Sequence, residues 1–216
     1  MQRKIVFATN NRHKLDEVRQ IVGSDIEIMS LADIGCAEDI PETSATIEGN
    51  AMQKCRYVAE HYGCDCFADD TGLEVDALGG APGVHTARYA EIILAGRAAS
   101  HDSGANLDCL LSELDRECKA LGAKGEPTSR RARFRTVVTL VLKGNIYQFN
   151  GCLEGSIAFE KAGCGGFGYD PIFIPDGFGG KTLSEISESE KNSISHRGKA
   201  LREMASFLSA QACSQI

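Results

Sequence analysis

The sequence lacks long apolar runs, an excess of positive charge and the cysteine spacing of common metal sites. No apolar run approaches the roughly 20 residues that a membrane-spanning helix needs. The N-terminal stretch "MQRKIVFATNN" has too short an apolar core for a signal peptide. The net charge of −7 argues against general binding of duplex DNA, whose partners usually carry a basic surface. We therefore expect a cytosolic protein that binds neither membranes nor nucleic acid.

The nine cysteines do not form a disulfide pattern, because their number is odd and nothing marks the chain as secreted. Cys64 and Cys66 are the only close pair, and one residue between them is too few for the C-x-x-C spacing of zinc and redox sites. Reduced, mostly buried thiols are the favoured interpretation. A metal or redox role for the pair is the alternative.

A chain of 216 residues can form one domain or two small lobes, and we predict a single domain over residues 1–216. Strand-like and helix-like segments are mixed along the chain, which indicates an α/β domain around a mixed sheet. Strands are predicted at 4–9, 64–70 and 172–175, and helices at 14–22, 46–63, 103–118 and twice within 183–209. A long antiparallel hairpin is predicted to turn at Gly144–Asn145.

Two adjacent carboxylates, Asp69 and Asp70, end an apolar strand, and Thr71 and a glycine follow. Like charges side by side repel, so a fold keeps them only where a cation lies nearby. Glu42 lies in the turn before a long helix and would complete a site for Mg²⁺, which prefers a few carboxylates with water and phosphate oxygens. A glutamate that only interacts with the helix dipole is the alternative for Glu42.

The segment "ATNNRHK" at 8–14 leads from a strand into a helix, with Lys14 in the first helical turn. Free backbone N–H groups and the positive end of the helix dipole make such a terminus a natural seat for anions. The segment is not a Walker A motif, because the glycines and the Lys-Ser/Thr pair are missing. A capped helix start with a surface lysine is the alternative to a phosphate site.

The segment "GCGGFGYDPIF" at 163–173 places glycines around two aromatic residues, Phe167 and Tyr169. Glycines let the backbone approach a ligand closely, and an aromatic ring between them suits stacking on a planar base. A tight turn with core aromatics is the alternative.

Two further segments carry clusters of cations. In "SESEKNSISHRGKAL" at 187–201, the residues Lys191, His196 and Arg197 concentrate hydrogen-bond donors between predicted helices. In the segment "RRARFR" at 130–135, arginines alternate with apolar residues. We interpret it as a strand edge with solvated arginines rather than a nucleic-acid site.

Together these segments supply carboxylates for a metal, a helix terminus for phosphates, lysines and an aromatic residue that can stack on a base. A binding site for a nucleoside triphosphate requires these groups. The order and spacing of "FATNNRHK", "ADDTGLEVDALGGAPGVHTARYA", "GGFGYDPIF" and "EKNSISHRGKAL" resemble the inosine triphosphate pyrophosphatase family. Members of this family hydrolyse non-canonical purine nucleoside triphosphates. The resemblance covers nearly the whole chain.

The resemblance implies an α/β fold with an elongated, mixed and twisted sheet flanked by helices, and two lobes around a nucleotide-binding cleft. It also implies a homodimer, Mg²⁺ as cofactor, and dITP, ITP and XTP as substrates. By the same resemblance, Glu42 and Asp70 hold the metal, and Asp70 is the catalytic base. The implied substrate-binding residues are Thr9, Asn10, Asn11, Lys14, Lys54, Thr71, Phe167, Gly168, Tyr169, Asp170, Lys191, His196 and Arg197, the last two as readers of the base.

The implied reaction is hydrolysis at the α-phosphorus, in which Mg²⁺ neutralises the triphosphate, a carboxylate deprotonates water, and pyrophosphate leaves. Lys14, Lys54 and Lys191 would stabilise charge on the phosphoryl oxygens. A nucleotide sensor without catalysis and a pyrophosphatase of general or pyrimidine specificity are the rival functions. The choice of base between Asp69 and Asp70 stays open.

Overall fold

The structure, a computed structural model, describes residues 3–22, 26–99, 101–126 and 128–213. The chain divides into two compact units. The first unit contains residues 1–70, 136–151 and 194–216, and the second contains residues 71–135 and 152–193. The single domain and the nucleotide-binding cleft expected from the sequence both stay predictions.

Helices and strands are mixed along the described part of the chain. The helices are α1 (Arg12–Val22), α2 (Ile47–Tyr62), α3 (Tyr89–Ile93), α4 (Ser103–Ala123), α5 (Glu188–Ile194) and α6 (His196–Cys213). The strands are β1 (Arg3–Phe7), β2 (Ile26–Met29), β3 (Cys66–Val75), β4 (Pro82–Gly83), β5 (Arg131–Leu142), β6 (Asn145–Ile157) and β7 (Phe173–Pro175). Across these described residues, no helix combines the length and the apolar character needed to cross a membrane.

The strands form one mixed sheet in the order β2-β1-β3-β5-β6-β7, with β4 paired to β3 outside this path. β1 runs parallel to β2 and to β3, whereas β3 and β4, and also β6 and β7, are antiparallel. β3, β5 and β6 contribute residues to both units. The predicted α/β class with a mixed sheet is confirmed.

The core of the first unit follows the alternation of side chains along each strand, since successive residues point to opposite faces of a sheet. Phe7 of β1 and Phe67 of β3 lie in an apolar cluster with residues of α1 and α6. Their neighbours Val6 and Ala68 lie in a second cluster, which includes residues of α2. In this unit, α1 and α6 therefore cover one face of the sheet and α2 covers the other.

Capping residues set the ends of the long helices. The Thr46 hydroxyl accepts the N–H of Gly49 at 3.0 Å, and Gly63 ends α2 in the left-handed region at a φ of +62°. The predicted helix at 46–63 with a glycine cap is confirmed. The helix predicted at 103–118 begins where expected but continues to Ala123.

The structure corrects the prediction that a strand ends at Asp69 and Asp70. β3 continues to Val75, so both carboxylates lie inside the strand. The strand does not need to stop, because the two side chains leave opposite faces of the sheet. Asp69 meets Lys14 and Arg197 on one face, and Asp70 meets Lys54 on the other.

The predicted hairpin forms, but its turn lies one residue earlier in the chain. Lys143 and Gly144 connect β5 to β6, and Asn145 is already the first residue of β6. Both turn residues have a positive φ, +50° for Lys143 and +78° for Gly144, as a type I′ hairpin turn requires. The sequence did not indicate this register because lysine seldom adopts such a φ.

The arginines of β5 do not lie at a strand edge, because β5 is an interior strand between β3 and β6. They are also paired rather than only solvated. In the second unit, Arg131 donates to Asp176 at 2.6 Å and Arg133 donates to Glu74 at 2.8 Å.

The cysteines with described side chains are free thiols, which confirms the predicted reduced state. Four of them, Cys36, Cys55, Cys66 and Cys109, are buried, whereas Cys164 is exposed.

Candidate active site

Asp69 lies on the sheet face that α1 and α6 cover, the same face as Phe67. Lys14 of α1 donates from Nζ to Asp69 Oδ1 at 2.9 Å. Arg197 of α6 donates from Nε to Asp69 Oδ2, also at 2.9 Å. Two cations therefore enclose this carboxylate, and its side chain is only 1% exposed.

Asp70 lies on the opposite face, the same face as Ala68, where α2 packs. Lys54 of α2 donates from Nζ to Asp70 Oδ1 at 3.4 Å and to Glu42 Oε1 at 2.5 Å. Asn50, one turn earlier on α2, donates from Nδ2 to Asp70 Oδ2 at 3.3 Å. The two predicted metal ligands, Glu42 and Asp70, therefore share one lysine ammonium.

The two aspartates have opposite pKa shifts. Burial raises the pKa of Asp69, but Lys14 and Arg197 outweigh burial and hold this pKa well below its usual range. Burial is also the largest influence on Asp70, and it raises the pKa although Lys54 partly opposes it. A carboxylate with a raised pKa is the better proton acceptor, and the choice of general base between Asp69 and Asp70 stays a prediction.

The two lysines of this cluster also differ. Burial lowers the pKa of Lys14 more than the facing Asp69 raises it. Burial likewise lowers the pKa of Lys54, but Asp70 and Glu42 together outweigh it and raise this pKa above the usual value. Lys54 therefore remains an ammonium between its two carboxylates.

The predicted phosphate-binding segment connects β1 to α1. Asn11 caps the helix, because its Oδ1 accepts the N–H of Lys14 at 3.2 Å. The N–H of Asn11 donates to the hydroxyl of Thr9 at 3.2 Å. Thr9 is half-buried, whereas Asn10 and Asn11 are exposed. A capped helix start is thus present, and phosphate binding by these residues stays a prediction.

In the second unit, the loop before β7 holds the predicted base platform. The N–H of Phe167 donates to Asp170 Oδ2 at 2.7 Å. Lys191 of α5 donates from Nζ to the same oxygen at 2.7 Å, and this nitrogen lies 4.5 Å from the centroid of the Phe167 ring. The structure therefore brings Phe167, Asp170 and Lys191 together.

The other predicted residues of the second unit have separate surroundings. Tyr169 is buried and donates its hydroxyl to the carbonyl of Thr86 at 3.0 Å, as the interpretation of a core aromatic expects. Gly168 has a φ of +60° and open space beside its Cα. Thr71 directly follows Asp70 on β3 and is half-buried. Substrate contacts of these three residues stay predictions.

His196 and Arg197, the predicted readers of the base, begin α6 and are buried. Arg197 donates to Asp69 and also, from Nη1, to Glu17 of α1. A Cβ atom on Gly151 of β6 would overlap the carbonyl of His196, so β6 and the start of α6 are in close contact. Two nitrogens of Arg197 thus serve ion pairs within the first unit, and base reading by these residues stays a prediction.

Sequence reasoning missed Glu17 and Asn50 as members of these clusters. Glu17 lies three residues after Lys14, and Asn50 lies four residues before Lys54. Such spacings place two side chains on one helix face. The helical period was therefore a usable signal for both residues.

Glu42 and Asp70 are the predicted ligands of Mg²⁺ in the first unit. Among the described residues, no three His, Cys, Asp or Glu side chains form a ready metal site. Glu42 and Asp70 nevertheless converge on Lys54 Nζ, where two negative charges face one positive charge. Two carboxylates are compatible with Mg²⁺, which takes few protein carboxylates and completes its shell with water and phosphate oxygens, and binding of Mg²⁺ here stays a prediction.

Comparison with known proteins places the chain among related sequences. Residues 5–207 match the Ham1 family. The dITP/XTP pyrophosphatase of Christiangramia forsetii is 49% identical over 206 residues, which cover 95% of this chain and 99% of that protein. The dITP/XTP pyrophosphatase of Porphyromonas gingivalis is 49% identical over 207 residues, which cover 95% and 97% of the two chains.

Solved structures show the same likeness. A HAM1 protein from Coxiella burnetii has a TM-score of 0.82 and 33% identity, covering 96% of this chain and 99% of that one. The nucleoside-triphosphatase / dITP/XTP pyrophosphatase from Mycobacterium abscessus has a TM-score of 0.70 and 40% identity, covering 93% and 98% of the two chains.

Proposed function

This chain belongs to the Ham1 family, and on that basis we propose that it hydrolyses non-canonical purine nucleoside triphosphates such as dITP, ITP and XTP. Two of its relatives are named dITP/XTP pyrophosphatase and match nearly the whole chain. The observation that carries the proposal is the cluster of Glu42, Lys54 and Asp70. It combines the carboxylates and the ammonium that hydrolysis of a phosphate anhydride uses.

Asp70 is the general base in this proposal. Its raised pKa suits removal of a proton from a water molecule that attacks the α-phosphorus. The hydrogen bond from Asn50 to Oδ2 orients the carboxylate. As the water oxygen bonds to the α-phosphorus, the bond from this phosphorus to the bridging oxygen breaks. The nucleoside monophosphate and pyrophosphate are the products.

Cations of the first unit oppose the charge of the triphosphate. Lys14 and Lys54 are the ammonium groups that would stabilise the phosphoryl oxygens. Each is paired with a carboxylate, so each is held in place before a phosphate arrives. Glu42 and Asp70 would hold Mg²⁺, which neutralises the triphosphate when it is bound.

Recognition of the purine by stacking is assigned to Phe167. Reading of its 6-position is assigned to Arg197 on the family resemblance alone, because the residue is only 3% exposed and two of its nitrogens serve ion pairs. Hypoxanthine and xanthine present a 6-keto acceptor, whereas adenine presents an amino donor at the same position. Arg197 can only donate, so adenine would leave polar groups unpaired. Such a mismatch can lower kcat/KM by several orders of magnitude.

Hydrolysis of ITP in ¹⁸O-labelled water tests the reaction. Attack at the α-phosphorus places the label in IMP and leaves unlabelled pyrophosphate. Label in the pyrophosphate, or release of IDP and orthophosphate, would overturn the proposed reaction. A protein that binds ITP without turnover would be the nucleotide sensor instead.

We also propose a cytosolic homodimer, as the family resemblance implies. Sedimentation equilibrium should give about twice the chain mass of 23.2 kDa. A mass of one chain at micromolar concentration would contradict the dimer without affecting the proposed reaction.

A further inference from the structure

The Asp170 carboxylate holds two neighbouring groups of the base platform. We propose that Asp170 is a positioning residue, which fixes the Phe167 ring and Lys191 for the purine instead of contacting the base itself. The inference rests on the proposed function, because it assumes that a purine nucleotide binds at Phe167. It differs from the sequence-based expectation, which made Asp170 a substrate contact.

Asp170 fixes the backbone of Phe167 from two sides. Its Oδ2 accepts the N–H of Phe167 at 2.7 Å, and its own N–H donates to the carbonyl of Phe167 at 3.2 Å. These two hydrogen bonds close a loop of four residues. The backbone orientation at Phe167, and with it the direction of the ring, therefore depends on the carboxylate.

Asp170 also fixes the cation beside the ring. Lys191 is buried, and its ammonium lies 2.7 Å from Asp170 Oδ2 and 4.5 Å from the centroid of the Phe167 ring. A cation at this distance from an aromatic centroid is attracted to the ring. Loss of the carboxylate would leave a buried ammonium without this counter-charge, so Lys191 would move and the ring would lose its neighbour.

The Asp170 carboxylate has little exposure with which to meet a ligand. The residue is only 4% exposed, and one oxygen already accepts two short hydrogen bonds. Phe167, in contrast, is half-buried. The residue suited to touch the base is therefore Phe167, and the residue suited to hold it is Asp170.

Gly166 provides the space for this arrangement. A Cβ atom there would overlap Asp170 Oδ2 and would lie 2.8 Å from Asp170 Cγ. Gly166 also has a φ of +73°, which a side chain disfavours. An alanine would therefore displace the carboxylate while leaving Asp170 chemically unchanged.

The first test uses a fluorescent reporter, because the chain contains no tryptophan. Phe167→Trp places a single tryptophan at the platform, and titration with IMP reports binding without turnover. We expect Asp170→Asn in this background to weaken IMP binding about tenfold, the scale of one base–aromatic stack. Tripolyphosphate has no base, so its inhibition constants for wild-type and Asp170→Asn turnover should agree within about twofold. Equal IMP affinity with and without Asp170→Asn would overturn the positioning role.

A double-mutant cycle separates positioning from direct contact. If Asp170 acts through Phe167 and Lys191, then Asp170→Asn has little further effect on IMP binding, measured by calorimetry, in a background that carries both Phe167→Ala and Lys191→Met. A similar loss in both backgrounds would show a direct contact with the base and overturn the proposal. Wild-type protein that neither binds IMP nor hydrolyses ITP would instead contradict the proposed function.

Glycine variants provide a steric test with a matched control. Gly166→Ala should weaken IMP binding about as much as Asp170→Asn does. Gly179→Ala introduces a similar backbone strain at a φ of +61° but meets open space, so its IMP affinity should equal that of wild type. Thermal unfolding confirms that both variants are folded at the assay temperature. A Gly166→Ala variant that is folded and binds IMP normally would contradict the positioning role.

Discussion

Asp69 and Asp70 are consecutive residues of β3, yet their carboxylates pair with lysines of different helices. Asp69 lies 2.9 Å from Lys14 of α1, and Asp70 lies 3.4 Å from Lys54 of α2. Alternation along the strand produces this separation. It explains how the fold keeps two adjacent acids, and it gives them different tasks. Asp69 pairs with Lys14 and Arg197, whereas Asp70 shares its lysine with Glu42 and has a pKa that burial raises.

Asp70→Asn should lower kcat for ITP by about 10²-fold or more, because an amide cannot accept the proton of water. Pyrophosphate release measures the rate, and circular dichroism checks the fold. Asp108→Asn is the matched control, since Asp108 is an exposed residue of a surface ion pair and its loss should leave kcat unchanged. Near-normal turnover by a folded Asp70→Asn variant would rule out the assigned base.

Asp69→Asn should lower the free energy of unfolding at neutral pH by about 3–5 kcal/mol, because Lys14 and Arg197 would lose their shared carboxylate. The pKa of Asp69 is lowered in the folded state, so its stabilisation is present above the unfolded pKa of about 3.9 and is lost as the pH falls. Urea unfolding of both proteins should therefore show a constant difference from about pH 8 to pH 5 and a smaller one below about pH 4. A difference in the free energy of unfolding that increases as the pH falls would contradict the lowered pKa of Asp69.

The pH dependence of kcat/KM should have an acid limb above the ordinary aspartate pKa of about 3.9, because the pKa of Asp70 is raised and the base must be ionised. Protons and Mg²⁺ compete for carboxylates, so more Mg²⁺ should move this limb to lower pH. Rates measured from pH 4 to pH 8 at two Mg²⁺ concentrations test both points. Full activity in excess EDTA would remove the metal from the reaction.

Gly151→Ala should destabilise the protein by about 1–3 kcal/mol, the usual cost of overpacking, because the new Cβ would overlap the carbonyl of His196. Thermal unfolding measures the effect. Gly122→Ala in α4 is the control, since its nearest neighbouring atom lies 3.9 Å away and alanine is favoured over glycine in helices. A Gly151→Ala variant as stable as wild type would show that the start of α6 can shift freely.

Local signals predicted much of the fold. Helix α2 was found because its apolar period and its glycine cap are both visible in the sequence. The predicted end of β3 is wrong because two charges after an apolar run are typical of the end of a strand, whereas β3 continues to Val75. Strand alternation within residues 64–70 already predicts that Phe67 and Asp69 lie on one face of the sheet and that Ala68 and Asp70 lie on the other.

Contacts between distant parts of the chain could not be predicted from local patterns. Arg197 and Asp69 are 128 residues apart in the sequence, and their hydrogen bond depends on how α6 packs on the sheet. The pairing of Lys191 with Asp170 likewise requires the second unit to be folded. The sequence singles out these cationic residues, but their partners depend on tertiary structure.

The most direct test of the proposed function is the comparison of kcat/KM for dITP, ITP, XTP, GTP, ATP and dCTP, measured by pyrophosphate release. Purines with a 6-keto group offer the acceptor that Arg197 needs. Guanine also has this group and differs from hypoxanthine only by its 2-amino group, so the 6-position does not exclude GTP. We expect high and similar values for dITP, ITP and XTP, a low value for GTP and the lowest value for ATP. The discrimination between ITP and ATP should reach about 10²-fold or more. Equal values for ITP and ATP or dCTP, or orthophosphate as the product, would contradict the proposed function.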